Sequence, residues 1–116
     1  MNLPQQIAKH LREIYFGGNW TSVNIKDTLA DVTWQQATTQ VYSFNTIATL
    51  VFHMNYYISA VLKVLEGEPL NASDKYSFAL LPILSEVGWE ELVNKTWMDA
   101  ENFASLIDLP TAVLPC

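Results

Sequence analysis

Two histidines, His10 and His53, and a single cysteine, Cys116, are the nitrogen and sulfur ligands this chain offers, so a metal centre would have to form around imidazole and carboxylate. His53 is the more telling of the two. It sits within FNTIATLVFHMNYYISAVLKVLEG, residues 44–67, whose apolar positions Ile47, Leu50, Val51, Met54, Ile58, Val61, Leu62 and Leu65 follow helical spacing. At roughly 100° per residue, His53 lies about 120° from the centre of that stripe, at the margin where a bundle helix turns toward a neighbour or a cleft. An imidazole there is either a ligand or a polar residue hydrogen-bonded to a neighbour. His10, beside Lys9, Arg12 and Glu13, is expected to be structural, on a solvated helix edge. Cys116 at the last position excludes an internal disulfide and a cysteine-rich metal site. Ser and Thr are plentiful, yet no Gly-x-Ser-x-Gly elbow, phosphate loop or dinucleotide fingerprint surrounds them. Trp20, Trp34, Trp89 and Trp97 are expected in the core rather than around a ligand.

The elements that must position these residues read as helices. Asn45 is a good N-cap for the segment carrying His53, and Gly67 stops it. A first helix is expected over Leu3 to Phe16, with Pro4 in its first turn, Ile7, Leu11, Ile14 and Tyr15 on one face, and Gly17-Gly18 ending it. Between Asn19 and Ser43 the pattern weakens to a long connection with a turn or two of helix, anchored by Trp20 and Leu29. Within it Thr33-Trp34-Gln35-Gln36 has the form of a capping box. A turn-rich stretch from Gly67 to Leu84 follows. The last helix is expected from about Ser85 to Asp108, with Trp89, Leu92, Val93, Trp97, Ala100, Phe103, Ala104 and Ile107 at helical spacing and Pro110 beyond it. Glu90-Glu91 near its start suit the helix dipole. No alternating run marks a strand, so the class is all-α, in a single domain over residues 1–116.

Charge narrows the partners. Twelve acidic residues against six basic ones give a formal charge of -6, and the basic residues are scattered, which argues against nucleic acid. Thr, Asn, Ser and His interrupt every apolar run that approaches membrane-spanning length, and the N-terminus has no basic region followed by an apolar one. The expected address is the cytoplasm, with no membrane contact. Phe52 and Tyr56 lie opposite the main stripe of their helix, so that helix needs a second neighbour. Either the connection from Asn19 to Ser43 or another subunit must provide it.

In layout and in phrases the chain resembles the DinB/YfiT-like family of small four-helix bundles, which includes metal-dependent enzymes. The opening helix ending in an aromatic and glycine, the helix around His53, and DKYSFALLPILSEVGWEELV, residues 74–93, carry the resemblance over nearly the whole sequence. It implies an up-down helical bundle and a divalent metal, zinc or nickel, held by three histidines, one of them at the position His53 matches. The other two would come from a His-x-x-x-His motif on a fourth helix. After Asp108 the sequence reads LPTAVLPC, and three histidine ligands from one chain are impossible, so the expectation is three long helices with the fourth missing or supplied by a partner.

Two functional expectations follow from the resemblance and its departure. One is a relative of metal-dependent hydrolases or thiol transferases, with His53 beside a cleft and an incomplete metal site. The other is a non-catalytic homodimeric interaction or small-ligand binding module that has lost the metal site, with Phe52 and Tyr56 at the centre of its interface.

Overall fold

Side-chain caps start every helix among residues 2–18 and 24–108, the part of the chain that the computed structural model describes. Asn2 opens α1 (Leu3–Phe16) with a capping box: its Oδ1 accepts from the Gln5 amide at 2.9 Å, and Gln5 Oε1 accepts from the Asn2 amide. Asn24 opens α2 (Ile25–Ala30), and Thr33 with Gln36 forms the expected box ahead of α3 (Trp34–Thr38). The helix carrying His53, α4 (Ile47–Leu65), begins one residue later than expected. Thr46 is its cap, because its hydroxyl accepts from the Thr49 amide at 3.1 Å. Ser85 opens α5 (Glu86–Ile107), which puts Glu86 in the first turn and Glu90-Glu91 in the second. The described residues contain these five helices and no strand, so the chain is all-α. Trp20 and Cys116 lie outside the described residues.

Helix α5 is the centre against which α1 and α4 pack. Arg12 on α1 reaches Glu101, Ser105 and Asp108 near the end of α5, while Phe16, a turn later, meets Trp97, so α1 and α5 run antiparallel. Ala8, Ala100 and Ala104 are fully buried or nearly so, and their short side chains let the two helix backbones approach closely. At the other end, Trp89 from the first turn of α5 packs with Ala48 and Val51 from the first turns of α4, so these two helices are parallel. The up-down alternation expected from the sequence therefore extends only from α1 to α4. Residues 67–84 carry the chain back along α4 before α5 begins. Ala37 of α3 completes the core, and the Trp89 indole Nε1–H donates to the Val32 carbonyl at 3.0 Å.

Three long helices then occupy three corners of a bundle, and among the described residues the corner between α1 and α4 is open. Leu3, Ile7 and Ile14 on α1 and Ile47, Leu50 and Val61 on α4 are each at least 38 % exposed. On α4 these form one edge of the stripe that the periodicity picks out. The face of α4 that meets α5 takes the other edge of that stripe, Val51 and Leu62, and extends past it to Ala48 and Asn55. Helix α4 also has the length and mean hydropathy, 1.3, of a membrane span, which counting polar interruptions did not indicate. A bundle helix apolar on two sides passes the same test.

Candidate functional site

His53 is held by the 67–84 connection. Ser77 is fully buried, and its hydroxyl donates to the Asp74 carbonyl at 2.7 Å. The 3.0 Å contact between Ser77 Oγ and His53 Nδ1 is therefore made by the Nδ1–H of the ring, which leaves the lone pair of the neutral imidazole on Nε2. Phe78 stacks on the imidazole with centroids 4.0 Å apart and planes 9° from parallel, and Tyr57 meets its edge. One helical turn on, the Tyr57 hydroxyl donates to the Asp74 carboxylate, and the Tyr56 hydroxyl accepts from the Ser73 amide at 2.8 Å. The Asp74 hydrogen bond raises the Tyr57 pKa above the ordinary value of 10.0, since ionising the phenol would forfeit the bond beside a carboxylate.

Histidine, serine and aspartate thus come together, but in roles unlike those of a nucleophilic triad. The serine proton goes to a backbone carbonyl rather than to imidazole, the serine has no exposed surface, and the carboxylate holds a tyrosine. Nor do these residues fit the divalent metal that the family resemblance implies. Zinc or nickel of useful affinity takes three or four ligands, and no group of three His, Cys, Asp or Glu able to hold a metal occurs among the described residues. His10 is far along α1, exposed, with Nδ1 3.6 Å from Glu13 Oε2. The structure does not bring the two histidines together in one described cluster.

Two concavities flank α4. One, about 750 Å³, lies between α4, the 67–84 connection and α5, and includes Phe52 and Tyr56 in its wall. Those two aromatics, expected to need a covering neighbour, are half-buried, and the 67–84 connection lines the same concavity and donates the Ser73 amide to the Tyr56 hydroxyl. The other, about 400 Å³, is the open corner between α1 and α4, with α2 at one end. Ile14, Leu29, Leu50 and Met54 line it, and no charged side chain does. Sequence periodicity located the apolar residues of this second concavity and assigned them to the core.

No family model matches this chain, and no curated protein or solved structure matches it.

Proposed function

We propose that this chain is a binding module on a DinB-like scaffold, one that seats a second copy of itself against the open corner between α1 and α4 and has no metal centre of its own. The observation that carries this reading is the apolar lining of that corner, with Ile14 on one side and Ile47, Leu50 and Met54 on the other, beside Leu3 and Ile7 exposed on α1 and Val61 exposed on α4. Patches of this kind on a helical bundle mark interaction surfaces, because leaving them in water costs about 25 cal/mol per Å² of apolar area.

Charge favours a second copy as the occupant. Each protomer carries a formal charge of -6, so two copies repel over most of their surfaces, and an uncharged corner is where they approach at least electrostatic cost. A two-fold axis through the corner brings α1 and α4 of each copy against those of the other, in a self-complementary interface. Light scattering after size exclusion tests the reading. The wild type is expected at twice the protomer mass at high micromolar concentration, and Leu50→Asp, at a half-exposed position, at the protomer mass with its helicity retained. A wild-type protomer mass at that concentration would overturn the dimer.

A further inference from the structure

The connection between α4 and α5 is anchored at both ends and pinned once in between. At its start the Glu68 amide donates to the Lys63 carbonyl at 2.9 Å and closes α4, with Gly67 making the turn at φ +97°. At its end Leu80 and Ile83 pack against the core around Trp89. Between these anchors, over residues 69–79, only Ser77 is buried. The backbone hydrogen bonds there stay within the segment, from the amides of Tyr76, Ser77 and Ala79 to the carbonyls of Ser73, Asp74 and Tyr76. None reaches a helix among the described residues.

What holds 69–79 to α4 is one set of side chains. His53, Tyr56 and Tyr57, at i, i+3 and i+4 on a single face of the helix, take hold of Ser77, Ser73 and Asp74 in turn, and Phe78 stacks on the imidazole. A segment with one buried residue and one patch of polar fastenings has little apolar burial to lose on leaving, whereas the helices have a core between them. The fastenings also share the short turn over 73–77, so they form and break together. We infer that residues 69–79 are a detachable strap, which opens as one cooperative unit while the helices stay packed. Opening takes Pro69 and Asn71 out of the wall of the 750 Å³ concavity, and it bares the His53 imidazole and the hydroxyls of Tyr56 and Tyr57 to solvent. This device is independent of the open corner and stands whether or not the chain dimerises.

Native-state amide exchange in increasing urea, read by NMR on the whole chain, tests the inference. The amides of Ser73, Tyr76 and Ser77 are expected to share one opening constant, at least about a hundredfold larger than that of Thr96 and Ala100 in α5, with a much weaker dependence on urea because little surface is exposed. Tyr57→Phe removes a fastening and should raise that constant at all three strap amides by a common factor of about two to ten. Ala104→Gly, where α5 packs closely on α1, should speed exchange at Thr96 and Ala100 about fivefold yet leave the strap amides unchanged, because the open strap keeps that packing. If that variant does not fold, Arg12→Ala, which removes the ion pairs from α1 to α5, serves the same comparison. Strap amides that share the opening constant and urea slope of α5, that speed up in step with α5 in either variant, or that show three unrelated opening constants would overturn the inference.

Discussion

The imidazole of His53 gives its Nδ1 proton to a serine whose own proton is already committed to the Asp74 carbonyl, and it lies face to face with Phe78. Together these contacts fasten the connection between α4 and α5 to the outer side of α4. His53→Leu should therefore destabilise the fold by about 1–2 kcal/mol in urea unfolding, through the lost hydrogen bond and ring stacking. The tyrosines add a dependence on pH. Burial raises the pKa of Tyr15, and the Asp74 hydrogen bond raises that of Tyr57, both above 10.0. A group whose folded-state pKa is raised contributes fully below its unfolded value, and its contribution falls as pH rises toward the folded value. The urea midpoint should fall as pH passes upward through about 10, and Tyr57→Phe should make that fall shallower. A midpoint flat across that window would contradict the assignment. Only part of this cluster was legible in the sequence. The position of His53 at the margin of a helical stripe follows from spacing, but Ser77 and Phe78 lie in a turn-rich stretch with no period to say which way they face.

Helices, by contrast, were legible almost to the residue, because start and stop signals are local chemistry. The capping box at Thr33 and Gln36, Pro4 near the first turn of α1 and the glycines after Phe16 all act within one turn of the backbone they satisfy. Gly17 shows how tight one such junction is. It has φ +105°, and a Cβ placed there would come within 3.0 Å of Asn24 Nδ2, the side chain that caps α2. Gly17→Ala should cost about 1–3 kcal/mol and loosen the first turn of α2, read as faster amide exchange at Asp27 and Thr28. Unchanged stability and exchange would show that the junction tolerates a side chain. The use made of each helix face was less legible than the helix itself. One edge of the apolar stripe of α4, Ile47, Leu50 and Val61, flanks the open corner, whereas its other edge, Val51 and Leu62, joins Ala48 and Asn55 against α5. Ala48 and Asn55, which hydropathy ranks low, take part in that packing, so the stripe alone centres between α5 and the open corner rather than on α5.

At the scale of the whole molecule, three helices at three corners leave one apolar corner unfilled by the described residues, and the account turns on what fills it. The all-α class and the three long helices follow from sequence period alone; the parallel pairing of α4 and α5 does not, because it depends on how residues 67–84 fold back. Intermolecular contacts measured by isotope-filtered NOE spectroscopy, on a mixture of labelled and unlabelled protein, test the central claim most directly. Contacts between the methyl groups of Ile14, Leu50 and Met54 in one copy and those of α1 and α4 in the other are the predicted result. Intermolecular contacts centred on Phe52 and Tyr56, or none at a concentration where the protein is fully folded, would contradict it.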